Sequence, residues 1–395
     1  MKAPGRRDRP EGRVALVHDF LVSLRGADRV FLEICDLWPD ADVFTTIYDE
    51  DGTHGRFAGR RIHTSFLQRL RPTARTFRAL LPLYPRAIES FDLSGYDIVV
   101  SSSSAWAHAA RHSPDAVHVS YCHNPFRYLW NEYERTLAER RDPITRLALR
   151  DVFRRWRAWD LAASRRVDAY VTNSVATQER IRRCYRREST VVYPPVDTAR
   201  FTPGPPGDHY LVLSELVSHK RIDTIVRAFS ELGLPLVVVG DGPHAGHLRR
   251  LAASNVSFAG RVSDQDAGAL LTTCRALVVA ANEEFGIAAV EAQAAGRPVI
   301  ARAAGGLIET VRDGVTGCFW SGDADDLAHA IAGFDDRAIR TSDCVENAAR
   351  FDSSVFRAEF PAQVRRAIEL AQAAPDAPDR SRGRRFQRPA SGVAA

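Results

Sequence analysis

"RALVVAANEEFGIAAVEAQAAGRPVIA", Arg275 to Ala301, holds the reading that decides the fold. "RALVVAA" is a short apolar run of the kind a buried strand needs. Two acids follow it, then Phe-Gly, then an alanine-rich helical stretch with one more acid, Glu291, eight positions after Glu283. "RPVIA" returns to a buried strand. Carboxylates at the carboxyl end of a buried strand are costly to hold unless something pairs with them. In open α/β sheets, ligands bind outside those carboxyl ends. A polar ligand at Glu283 therefore meets the cost.

The same texture repeats outward in both directions. "VALVHDF" (Val14 to Phe20), "DADVFTTIY", "YDIVVSSSS" (Tyr96 to Ser104), "AVHVSYCH" (Ala116 to His123) and "VDAYVTNS" (Val167 to Ser174) each have an apolar body and a polar tip, with helical patterns between them. At Tyr193 the chain turns to "YPPVDTARFTPGPPGDH", a Pro- and Gly-rich linker. The alternation then restarts with "YLVLSEL", "KRIDTIVRAFSEL", "PLVVVGDGP" and "VSFAGRVS". Alternating strand and helix predicts an α/β fold with two doubly wound parallel sheets. The expected bounds are a disordered leader over 1–12, a first domain over 13–200 and a second over 201–352. A closing amphipathic helix over 353–374 and a disordered basic tail over 375–395 complete the chain.

The 395 residues are 45% hydrophobic and 26% charged, with net charge +5 and a pI near 9.0. The length favours about two domains. The mild basic excess suits anionic partners without choosing among them. Scattered arginines and the lack of any reader motif argue against nucleic acid. Six cysteines without a CxxC pair read as reduced thiols in a cytosolic protein. The charged start "MKAPGRRDRPEGR" is not a signal peptide, and no apolar run reaches the length of a bilayer span.

Five strand tips carry candidate chemistry. In "HDFLVSLRGADRV", Gly26 precedes a helix whose free N–H groups suit an anion, although an ordinary loop glycine is the plainer reading. In "SYCHNPFRYLW", His123 follows a strand directly and suits a substrate hydroxyl, although a lone histidine is more often structural. In "SELVSHKRID", Lys220 and Arg221 open a helix, where cations oppose the helix dipole unless a polyanion is bound, a solvated basic turn being the plainer reading. "VVVGDGPHAG" is a tight turn after a strand. In "NEEFGIAAVEA", Glu283 suits sugar hydroxyls, Phe285, Gly286 and Ile287 offer helix N–H groups, and Glu291 suits a ribose diol. The plainer reading makes Glu283 or Glu284 a helix cap and turns Glu291 to solvent. The apolar surroundings of Glu291 weigh against it.

These residues resemble the family-4 retaining glycosyltransferases, whose fold is GT-B: two Rossmann-like domains facing across a cleft. "EEFGIAAVEAQAAGRPVIA" looks like the family's E-x7-E signature. "YCHNPFRYLW", "VVYPPVD", "HKRID", "VVVGDGP", "FAGRVSD" and "GGLIETVRDGVTG" stand in the family's order. The resemblance implies that Glu283 and His123 serve the transferred sugar. It places Lys220 and Gly26 at the diphosphate, Arg261 and Val262 near the base, and Glu291 on the ribose; a second phosphate cation comes from Arg221 or is missing. It implies a GDP- or UDP-linked donor, mannose from GDP-mannose as the favoured one, with no metal. Glu215 departs from the pattern, since many members carry Arg five positions before the lysine.

The acceptor implied is a glycan or a lipid-linked sugar. "TSFLQRLRPTARTFRALLPLYP" and "RLALRDVFRRWRAWDLAASRR" interleave Arg with apolar residues. They suit contact with an anionic membrane on its cytoplasmic face, or they are ordinary helices with solvated arginines. A sugar-nucleotide epimerase of GT-B type and a non-catalytic nucleotide-sugar or anionic-lipid binding protein are the rival classes.

Overall fold

The computed structural model describes residues 12–73, 76–138 and 142–373. The expected leader, apart from Gly12, and the expected tail lie outside them. The first sheet contains β1 (Val14–His18), β2 (Asp42–Thr45), β3 (Ile62–Thr64), β4 (Ile98–Ser103), β5 (Val117–Cys122), β6 (Ala169–Thr172) and β7 (Ser189–Val191). Its order is β3-β2-β1-β4-β5-β6-β7, and every pairing is parallel. The second contains β8 (Tyr210–Leu213), β9 (Leu236–Val239), β10 (Val256–Gly260), β11 (Leu277–Val279), β12 (Val299–Arg302) and β13 (Gly317–Trp320). It is ordered β10-β9-β8-β11-β12-β13, again all parallel.

Both sheets reverse their strand order once, between β1 and β4 and between β8 and β11. That reversal opens a crevice at the carboxyl ends of those strands. Central strands β1, β4 and β5 are buried throughout, and each carries an apolar body, unbroken in β1 over Val14–Val17 and in β4 over Ile98–Val100 and interrupted in β5 by His118 and Ser120. Strands β3, β7 and β13 have no such run, because they lie at sheet edges and are partly exposed.

The closing helix, Ser353–Ala373, returns to the first sheet. Its Phe356, Phe360, Val364 and Ala367 share a core cluster with Val14, Leu16, Trp38 and Tyr121. Arg357 pairs with Glu33 at 2.8 Å on the same face. All six cysteines are free.

The Pro143–Ser164 helix revises one expectation. Trp156 and Trp159, in the arginine-rich stretch, pack edge-on against the buried Trp106 ring at 5.7 and 5.6 Å. They belong to the core rather than to an outward apolar face. The large apolar side chains that the helix presents to solvent lie in its first half, chiefly Ile144 at 80% and Leu147 at 69% exposure.

Candidate active site at the interdomain cleft

The carboxyl ends of the two sheets face each other across a cavity of about 900 Å³, within the usual range for ligand sites. Ten of the eleven residues singled out in the sequence line it: Gly26, His123, Lys220, Arg261, Val262, Glu283, Phe285, Gly286, Ile287 and Glu291. Arg221 is the exception.

The β8/β11 reversal sets the second lobe's contribution. After β8, a 3-10 turn over Ser218–Lys220 ends at Arg221, whose φ of 51° is left-handed. The helix therefore starts at Ile222, one or two residues later than expected. The turn sends Lys220 into the cleft and Arg221 away from it. The Arg221 guanidinium donates to the Gly322 carbonyl at 3.2 Å, outside the cavity. Lys220 Nζ instead lies 2.7 and 2.6 Å from the two carboxylate oxygens of Glu283, at the β11 tip. Lys2 and Lys220 are the two lysines among 54 Lys and Arg residues. A compact ammonium with rotatable donors can move from a carboxylate to a phosphate in a way a rigid guanidinium fork cannot.

Two glycines shape the acidic tip. Gly286, at φ 93°, is the N-cap of the Ile287–Ala294 helix, and no side chain caps that helix. The plainer reading of Glu283 and Glu284 as caps therefore fails. Gly305, at φ 64°, bridges to Glu283, and a Cβ on it would stand 2.2 Å from the Glu283 carbonyl oxygen. Glu284 is held separately, by Arg127 at 2.7 Å and Arg180 at 3.6 Å. Burial alone would raise its pKa, but the charges of Arg127, Lys220 and Arg180 carry it below the usual carboxylate value.

Glu291 is buried on its helix among Ala289, Val290 and Ala292. Its partners are arginines: Arg200 at 3.3 Å and Arg29, from the first lobe, at 3.8 Å. Burial raises its pKa despite both. Arg29 also reaches Asp264 at 2.7 Å, so one side chain ties the Gly26–Leu37 helix to the second lobe.

The first lobe supports its tips through side chains the sequence reading did not single out. His18, ending β1, contacts Asp28 at 3.0 Å through Nε2 and Ser102 at 3.1 Å through Nδ1. Ser102 in turn meets His123 Nε2 at 2.8 Å. Asp28 accepts the Arg25 backbone N–H at 2.8 Å. A buried chain of hydrogen bonds thus links the Gly26 loop to His123. Burial, reinforced by His18, pushes the His123 pKa down to about 3, so its ring is neutral at neutral pH and offers hydrogen bonds rather than charge.

Asp19, also buried, accepts four backbone N–H groups of the loop after β4. Ser104 and Ala105 bond one oxygen at 2.6 and 3.0 Å, and Trp106 and Ala107 bond the other at 2.7 Å each. Glu309 joins the lobes elsewhere. It accepts the Val175 and Ala176 N–H groups at 2.9 and 3.1 Å and the Tyr193 hydroxyl at 3.2 Å. Among the described residues no group of three or more His, Cys, Asp or Glu side chains is placed to hold a metal ion.

Comparison with known proteins fits this geometry. Residues 24–200 match the family described as Glycosyltransferase Family 4, and residues 208–334 match Glycosyl transferases group 1. The chain is 34% identical over 220 residues to D-inositol 3-phosphate glycosyltransferase 2 of Catenulispora acidiphila, covering 46% of this chain and 51% of that protein. It is 36% identical over 171 residues to a GDP-mannose-dependent alpha-(1-6)-phosphatidylinositol monomannoside mannosyltransferase of Mycobacterium tuberculosis, covering 35% and 44%. The chain thus spans about half the length of the curated relatives it matches. Among solved structures, Anabaena Alr3699/HepE in complex with UDP and glucose superposes with a TM-score of 0.66 at 19% identity, over 89% of this chain and 99% of that one. Sucrose-phosphate synthase of Thermosynechococcus elongatus gives 0.68 at 17% identity, over 91% and 100%. These two establish the fold. With two consecutive family matches that together take in the greater part of the sequence and paired parallel sheets around one cleft, the chain belongs to the family-4 glycosyltransferases of GT-B architecture.

Proposed function

We propose that this chain is a retaining glycosyltransferase that moves a hexose, mannose from GDP-mannose as the leading donor, to a hydroxyl of a glycan or lipid-linked acceptor. The observation that carries the reading is the Lys220–Glu283 pair at the β8/β11 reversal, with Glu291 about one turn into the Ile287–Ala294 helix and lining the same cavity. The name of the mycobacterial mannosyltransferase supports the donor and a lipid acceptor. The rival epimerase and binding-protein readings have no such support.

In this reading Lys220 leaves Glu283 for the diphosphate when donor binds, and Glu283 turns to the sugar hydroxyls. Glu291 takes the ribose. The acceptor oxygen bonds to the anomeric carbon on the face from which the phosphate oxygen departs. The acceptor's proton passes to that leaving oxygen. Lys220 and the free N–H groups near Gly26 and Ile287 oppose the charge that builds there, more in the transition state than before it. No metal is needed for this step.

Titration calorimetry of GDP and UDP tests the site. Wild-type protein is expected to bind one of them, and Lys220→Ala to weaken that binding about 10- to 100-fold, the cost of one charge-assisted contact. Failure of the wild type to bind either nucleotide, or unchanged affinity in the variant, removes the donor-site reading.

The lipid acceptor implies a membrane surface. Among the described residues no helix is long and apolar enough to cross a bilayer. Two stretches of the first lobe each set exposed apolar side chains close in sequence to exposed arginines, Ile144 and Leu147 before Arg150, and Phe66 at 43% and Leu70 at 59% exposure beside Arg69 and Arg71. We propose that this apolar and basic surface rests on anionic lipid. Flotation with vesicles containing phosphatidylglycerol is expected to carry the protein up, and the double variant Ile144→Ser, Leu147→Ser to reduce the bound fraction at least threefold. Equal flotation of both proteins, or none, overturns the membrane contact.

A further inference from the structure

The cations around the cleft are largely matched by acids. Lys220 meets Glu283, Arg127 and Arg180 meet Glu284, and Arg29 and Arg200 meet Glu291 and Asp264. The exception beside Lys220 is Glu215. Its carboxylate has two guanidiniums, Arg25 at 3.6 Å and Arg78 at 3.8 Å, both from the opposite lobe. All three side chains line the cavity, and Arg25 directly precedes Gly26. A diphosphate held by Lys220 near Gly26 would meet the acid at 215 as a repulsive neighbour, were it not outnumbered there.

We propose that Arg25, with Arg78 behind it, supplies the second cation for the donor's diphosphate from the first lobe, and that Glu215 holds the pair against the second lobe's wall. This inference rests on the donor-site reading and adds a residue to it. It also makes the diphosphate a bridge between lobes, because Lys220 and Arg25 approach it from opposite sides. The Arg25 N–H is fixed by Asp28, so its backbone is already set, and its side chain is 39% exposed and free to shift toward a ligand.

Calorimetry at low ionic strength tests the proposal with GDP and UDP, and with GMP and UMP, on four proteins. These are wild type, Lys220→Ala, Arg25→Gln, and Arg25→Gln with Glu215→Arg. Unfolding midpoints confirm that each is folded. Arg25→Gln is expected to weaken the diphosphate about tenfold, the scale of one charge-assisted hydrogen bond, and the monophosphate less than threefold. Arginine at position 215 is expected to recover most of the loss, since it places a cation on the second lobe where Glu215 now meets Arg25. Unchanged diphosphate affinity in Arg25→Gln, with Lys220→Ala still impaired, overturns this proposal and leaves the donor site standing. Equal losses for mono- and diphosphate also overturn it, because they would mean that Arg25 only holds the lobes together. If neither variant is impaired, the donor-site reading itself falls.

Discussion

Glu283→Ala is expected to lower sugar transfer at saturating donor by about 100- to 1,000-fold, the usual cost of losing one preorganised contact to a reacting centre, while leaving nucleoside diphosphate binding intact or a few-fold tighter. The two halves of this expectation come from one contact. In the free protein Glu283 occupies both of its oxygens on Lys220 Nζ, so it competes with phosphate for the ammonium that the β8 tip turns into the cleft. Removing the acid releases Lys220 for the diphosphate, and binding does not suffer. Transfer suffers because the sugar loses the group that orients it as the bond to phosphate lengthens. Glu283→Gln separates charge from shape: it keeps hydrogen-bonding reach and is expected to fall between the wild type and the alanine variant. Steady-state transfer rates beside calorimetric GDP and UDP affinities decide the matter. A variant with wild-type turnover, or one whose rate loss is wholly explained by weaker donor binding, would remove Glu283 from the chemistry.

The sequence made the fold and most of this site legible for one reason. A parallel strand buried on both faces reads as an apolar run, and the polar residues at its end have to answer to something. That rule found Lys220, Glu283 and His123. It did not find β3, β7 or β13, which are short and partly exposed and leave no apolar run to see. Arg221 shows a second limit. Adjacency to Lys220 put it in the right turn, but a single left-handed residue turned its side chain toward Gly322, and no local pattern announces that φ. Glu215 was visible as an anomaly, yet its partners Arg25 and Arg78 belong to another lobe and only the folded arrangement brings them near. Glu284 is similar, since its arginines come from the β5 loop and the Val175–Tyr185 helix.

Asp19 shows that the burial rule has two answers. It stands at the end of β1 as Glu283 stands beyond β11, and the same reasoning would assign it a ligand. Its partners are instead four N–H groups of the chain's own backbone, from Ser104 to Ala107. An acid there fixes a loop that lines the cleft through Ser104 and Ala105 and carries the buried Trp106 into the core. Asp19→Ala is therefore expected to cost roughly 4 kcal/mol, because several buried donors lose their acceptor together. For a lobe of this size that lowers the unfolding midpoint by about 10 °C. Asp19→Asn is expected to be nearly as harmful. Its carbonyl can serve two of the N–H groups, but its amide nitrogen would point donors at the other two. Glu283→Ala, by contrast, leaves no buried backbone donor unpaired and is expected to shift the midpoint by less than about 3 °C. Thermal unfolding followed by circular dichroism compares the three variants directly. An Asp19→Ala protein that melts with the wild type would mean that water or a neighbouring side chain satisfies the loop, and that Asp19, like Glu283, is held in reserve for a ligand.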